Sequence, residues 1–88
     1  MTDLQTLRAE IDAIDAQILQ LLAARFEKSA EVGAQKKLAK VDVFQPQREQ
    51  EILQKLRGNS RDLNLPEKLI EKIFTEIFLW SRRTQTRD

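Results

Sequence analysis

Leu4, Leu7, Ile11, Ile14, Ile18 and Leu21 follow one another at steps of 3, 4, 3, 4 and 3 residues. That spacing is the apolar stripe of an amphipathic helix, close to a heptad repeat. Nothing breaks the pattern before Lys40. Gly33 lies inside it, and a lone glycine costs a helix only about 1 kcal/mol. The spacing therefore predicts one helix over about residues 4–40. Thr2 or Asp3 stands where a cap is needed, and Thr2 with Gln5 has the capping-box spacing. A helix of about 37 residues is roughly 55 Å long. A compact globule of this chain's size has a radius of gyration of about 12 Å. Such a helix projects from its own globule with part of its stripe bare. A second copy related by a two-fold axis is the commonest cover, so a homodimer is expected. The alternative is a break at Gly33 that folds the chain into a monomeric bundle.

The 88 residues make a single domain. Val41-Asp42-Val43-Phe44-Gln45 loses the period and reads as a loop. Pro46 suits the first turn of a second helix over 46–57, with Ile52, Leu53 and Leu56 on its buried side. Gly58-Asn59-Ser60 is predicted to end it, Gly58 taking the position just past the last turn. Arg61 to Leu65 is a linker. Pro66 opens a third helix over 66–85, which buries Leu69, Ile70, Ile73, Phe74, Ile77 and Phe78. Thr86-Arg87-Asp88 is expected to fray. The fold class is all-α, with three helices per chain.

Composition narrows the function classes. Fifteen basic residues face fourteen acidic ones, for a net charge of +1. This balance argues against nucleic-acid binding or a polybasic membrane contact, which need a one-signed patch. The chain has no cysteine and no histidine. The usual zinc ligands and the Ser-His and Cys-His nucleophile pairs are thus missing, and neither metal nor cofactor is expected. No apolar run nears the ~20 residues of a bilayer span. The segment MTDLQTLRAEID has neither the basic flank nor the apolar run of a signal peptide. A cytoplasmic location is expected.

The informative residues continue an apolar stripe without being apolar. Arg25 follows Leu21 at i+4, and Arg25, Val32 and Lys36 share a face, since steps of 7 and 11 residues return to within about 20°. Ser81 and Gln85 follow Phe74 and Phe78. Arg48 and Glu49 precede Ile52 and Leu53 by one turn. A buried charge without a partner is costly, so such a set calls for a ligand or a mutual network. Each residue also has a plainer reading. Arg25 and Lys36 would be snorkelling side chains, Arg48 and Glu49 ordinary first-turn charges, and Ser81 and Gln85 a polar last turn. Arg8 would be a partner of Asp12 at i+4. Asp12, Asp15, Glu27 and Glu31 read as a solvated face, Arg82-Arg83 as charge complementing a helix C-terminus, and Trp80 as packing. Taken together, the exceptions supply several cations, one carboxylate and neutral hydrogen-bonding groups. That set suits a small polyanion, because arginine forks match carboxylates. The residues alone describe an anion-binding helical dimer.

Four blocks carry a resemblance. L-R-A-E-I-D-A-I-D-x-x-I-L-x-L-L-A-x-R (Leu7 to Arg25), V-G-A-Q-K (Val32 to Lys36), P-Q-R-E (Pro46 to Glu49) and I-F-x-x-I-F-x-x-S-R-x-x-Q (Ile73 to Gln85) resemble, in order and spacing, the AroQ-type chorismate mutases. The likeness is greatest to the mutase domain that opens bifunctional chorismate mutase–prephenate dehydratase proteins. It implies a chorismate mutase domain over 1–88 and an intertwined homodimer with two equivalent active sites. It also implies conversion of chorismate to prephenate on the way to phenylalanine and tyrosine. By this resemblance Arg25, Lys36, Arg48, Glu49, Ser81 and Gln85 of one chain line each pocket, and Arg8 enters from the partner. Arg8 and Arg25 would hold the side-chain carboxylate and Arg48 the ring carboxylate, with Ser81 near the latter. Lys36 and Gln85 would bond the ether oxygen, and Glu49 would accept from the ring hydroxyl. Well-known members carry aspartate where this chain has Gln45, which removes a carboxylate role there. The resemblance also leaves isochorismate-pyruvate lyase and a mutase of 4-amino-4-deoxychorismate as rivals on the same scaffold. A non-catalytic dimerisation module is a rival of another class. With no regulatory domain in the sequence, no feedback by phenylalanine is expected through this chain.

Overall fold

A computed structural model describes residues 3–86 as three helices: α1 (Leu4–Ala39), α2 (Pro46–Asp62) and α3 (Glu67–Gln85). The Asp3 carboxylate caps α1 by accepting from the Thr6 amide at 2.8 Å. The capping box expected from Thr2, and the fraying expected at Arg87 and Asp88, lie outside the described residues. α1 passes through Gly33 unbroken and ends at Lys40, which takes the left-handed conformation with φ 57°. There the Val41 amide bonds the Lys36 carbonyl and the Lys40 amide bonds that of Lys37. Together they form a Schellman closure.

The end of α2 differs from the sequence expectation. The helix does not stop at Gly58 but continues to Asp62, so the linker shortens to residues 63–66. Gly58 has no positive φ; Asn64, at φ 56°, supplies the left-handed turn instead. The Leu65 amide then bonds the Ser60 carbonyl at 2.8 Å, and that of Asn64 bonds Arg61. Ser60 is absorbed into the helix because its hydroxyl donates back to the Leu56 carbonyl at 2.6 Å and is buried. Arg57 to Glu71 and Arg61 to Glu67 tie this last turn to the start of α3. Pro66 precedes α3 in extended conformation, so the helix begins at Glu67.

α3 packs against both α1 and α2, which do not pack against each other. Among the described residues, the buried apolar ones are Ile77 and Phe78, joined in the interior by Ser29, Gly33, Ser60 and Ser81. Phe74 and Phe78 meet edge to face with centroids 6.2 Å apart. The molecule measures 57 × 27 × 15 Å with a radius of gyration of 16.4 Å, well above the ~12 Å of a compact chain of this length. Leu4, Leu7, Ile11, Ile14, Ile18 and Leu21 are all exposed, between 44% and 70%. The stripe that dictates α1 is therefore bare within one chain. None of the described helices is long and apolar enough to cross a membrane.

Candidate active site

A cleft of about 390 Å³ opens where the second half of α1, the start of α2 and the last turns of α3 converge. Its side chains form two connected sets. On one side, Arg25 donates to the Ser81 hydroxyl at 3.0 Å. Its guanidinium also lies 5.9 Å and 5.8 Å from the Phe74 and Phe78 ring centres. The apolar steps of α3 thus become a platform for a cation. Burial, and then the neighbouring Arg48 charge, push the Arg25 pKa down from its ordinary value, although an arginine stays protonated.

Lys36 organises the other set. Its ammonium donates to the Gln85 side-chain carbonyl at 2.7 Å and to the Val43 backbone carbonyl at 2.8 Å. The Gln85 amide nitrogen donates to the Ser29 hydroxyl at 3.0 Å, and Ser29 donates in turn to the Ser81 carbonyl. Burial lowers the Lys36 pKa, and the nearby Glu49 carboxylate works against that shift. The contact between Lys36 and Gln85 depends on backbone approach. A Cβ built on Gly33 would stand only 2.7 Å from the Gln85 Cα, so α3 reaches this depth only over a glycine.

Arg25, Lys36, Arg48, Glu49, Ser81 and Gln85 all line the cleft. Arg48 does so loosely, since it is exposed and pairs with Glu51 at 3.7 Å. Arg8 is not among the lining residues and lies on the exposed first half of α1. Gln45 lines the rim without a charge.

Sequence reasoning missed three residues. Ser29 and Gly33 stand four and eight residues after Arg25, and that spacing alone places them on its face. Arg82, read as a helix-end charge, instead donates to the Glu49 carboxylate and lies 4.8 Å from the Phe44 ring centre. Its position one turn after Phe78 was the available signal. Arg83 does behave as a surface cation and stacks on Trp80, which is half exposed rather than packed inside.

Among the described residues, the cleft thus offers five cations, one carboxylate and neutral donors in a helical frame closed by one loop, the composition of a small helical protein suited to a polyanion. Residues 7–86 match the family model for chorismate mutase type II, and the chain belongs to that family. It is 35% identical over 77 residues to a T-protein of Enterobacter agglomerans, covering 88% of this chain and 21% of that protein. It is 34% identical over 80 residues to a bifunctional chorismate mutase/prephenate dehydratase of Aquifex aeolicus, covering 88% and 22% respectively. A T-protein of Haemophilus influenzae is 34% identical over 73 residues, covering 83% and 19%. The chain spans about a fifth of the length of these relatives.

Proposed function

We propose that this chain is a chorismate mutase that converts chorismate to prephenate by an intramolecular [3,3] rearrangement in aromatic amino acid biosynthesis. One observation carries the reading. Lys36 and Gln85, 49 residues apart in sequence, meet at 2.7 Å on the wall of a cation-lined cleft. The rearrangement breaks the ether C–O bond and forms a C–C bond within one molecule. It needs no nucleophile and no net proton transfer. Two things accelerate it. The first is holding the enolpyruvyl arm over the ring in a near-attack shape. The second is stabilising negative charge that grows on the ether oxygen as the C–O bond breaks ahead of C–C formation.

The donor inventory of the cleft meets both needs. An ammonium has three donors and an amide nitrogen two. Lys36 uses two of its donors and Gln85 one. One N–H of each is left for the ether oxygen. Arg25 and Arg48 take the two carboxylates, Ser81 stands beside the ring carboxylate, and Glu49 accepts from the ring hydroxyl.

The same reading includes a homodimer. The bare stripe of α1 is covered by the α1 of a second copy in an intertwined arrangement, and Arg8 of each chain enters the other's cleft to share the side-chain carboxylate with Arg25. A cytoplasmic setting goes with this reading, and cell fractionation tests it.

The experiment is the loss of chorismate absorbance at neutral pH, comparing the parent with Lys36→Ala at equal dimer content. The parent is expected to be active, and the variant to lose roughly 10²–10³ in kcat, the usual cost of one donor to a developing oxyanion. A folded, dimeric parent without activity refutes the reading, and isochorismate is then the next substrate to try.

A further inference from the structure

Glu49 is the one carboxylate among the described residues that line the cleft, and it sits among cations. A carboxylate with several cations in reach has several places to go. The most damaging is Lys36, whose positive charge the reaction needs at the ether oxygen. The structure shows what holds Glu49 elsewhere. Arg82, from the last turns of α3, donates to Glu49, and both side chains are roughly three-quarters buried. The guanidinium is itself fixed over Phe44, which rises from the loop between α1 and α2. Loop, α2 and α3 thus converge on one arginine at the cleft wall.

We propose that Arg82 is a positioning residue that anchors Glu49 as a hydrogen-bond acceptor for the substrate hydroxyl and keeps its carboxylate off Lys36. This inference rests on the proposed mutase function. Among the described residues of one chain, the charged groups that line the cleft with Lys36 are Arg25 and Lys28 from α1, Arg48 and Glu49 from α2, and Arg82 from α3; the proposed dimer adds the partner's Arg8, which is present in every variant of the test. The loop contributes Val43 and Gln45, which carry no charge. Releasing Glu49 therefore has a direction that can be measured. The carboxylate turns towards Lys36 and strengthens its hold on the proton. The limb of kcat/KM on the alkaline side, which reports the free enzyme, then moves to higher pH.

The test is a double-mutant cycle on the homodimer, with kcat/KM for chorismate followed across pH in the parent, Arg82→Met, Glu49→Gln and the double variant. Interacting neighbours show coupling of roughly 2- to 100-fold. Arg82→Met is expected to lower kcat/KM about tenfold in the parent and less than about threefold in the Glu49→Gln background. The upward move of the alkaline limb is likewise expected only where Glu49 is present. A variant that is merely less stable loses active fraction equally in both backgrounds and leaves the limb in place.

Arg82→Lys, which keeps a cation near Glu49, guards against a misfolded methionine variant. It is expected to restore most of kcat/KM and the parent limb. Equal losses in the two backgrounds, an unmoved limb, or a lysine variant that is folded yet as impaired as methionine overturns the proposal and leaves the mutase reading standing. A parent inactive on chorismate overturns both.

Discussion

The two glycines of this chain both lie inside helices without positive φ, yet replacing each with alanine should have opposite effects. Around Gly58 nothing lies within 4 Å of an added Cβ. Alanine there removes backbone freedom from the unfolded chain and is expected to stabilise by about 0.5–1 kcal/mol. That is a rise of several degrees in Tm for a domain of this size, with activity unchanged. At Gly33 the added Cβ meets the Gln85 Cα at 2.7 Å and the Gln85 carbonyl oxygen at 2.9 Å. Carbon atoms rest at about 3.5–4.0 Å, so the last turn of α3 must retreat by about 1 Å. Crowding of this kind costs about 1–3 kcal/mol, and the better helix propensity of alanine returns about 1. Stability therefore falls only modestly. The larger effect is on rate, because the retreat carries Gln85 away from Lys36. A displacement near 1 Å at a reacting centre costs about 10²-fold. Thermal unfolding by circular dichroism, paired with chorismate consumption, reads both quantities. A Gly33→Ala protein more stable than the parent and equally active would show that α3 does not depend on that close approach.

Further outcomes follow from the same geometry. Gln85→Glu places a carboxylate against the Lys36 ammonium, so it donates only when protonated. It should keep useful activity only at acidic pH, and equal activity to the parent at pH 8 refutes the donor role. Lys36 holds its proton less tightly than an ordinary lysine, chiefly through burial, so kcat/KM should fall with rising pH before a free lysine would titrate. Stability has the opposite sign: between the folded and unfolded pKa values the unfolded chain binds more protons, so this group's contribution rises with pH through that window. A kcat/KM limb at or above the ordinary lysine range contradicts this. Ile14→Asp puts a carboxylate in the middle of the bare stripe. It should give a monomer by analytical ultracentrifugation with mutase activity lost, and a fully active dimer would show that the stripe is not the interface.

Much of the fold was legible because its helices are written as stripes. The 3-4 alternation from Leu4 to Leu21 and the six apolar positions of α3 specify their helices without outside help. The end of α2 was misread because Gly58 looks like a stop signal, whereas termination depends on which residue turns left-handed. Asn64 does so, and Ser60 satisfies its hydroxyl within the helix. Of the candidate site, the polar residues that interrupt stripes stood out: Arg25, Lys36, Ser81 and Gln85 each have a plainer local reading, but jointly they line one cleft. Arg82 was not legible, because an arginine near a helix C-terminus has a sufficient local explanation. Its partner Glu49 comes from another helix, 33 residues earlier. Arg8 lies beyond what a single chain can place, since the contact proposed for it is with a second copy.

α1 and α2 form opposite walls of the cleft, yet only α3 packs against both. Burial first, and then the like charge of Arg48 across the cleft, lower the Arg25 pKa. The cleft therefore carries like charge on two helices that meet only through α3. For a dicarboxylate ligand of the kind proposed above, each of these two cations is a pairing site, and the ligand's negative charge offsets their repulsion. On that proposal, the distance between a ligand's two negative ends counts for more in this cleft than the shape of its middle.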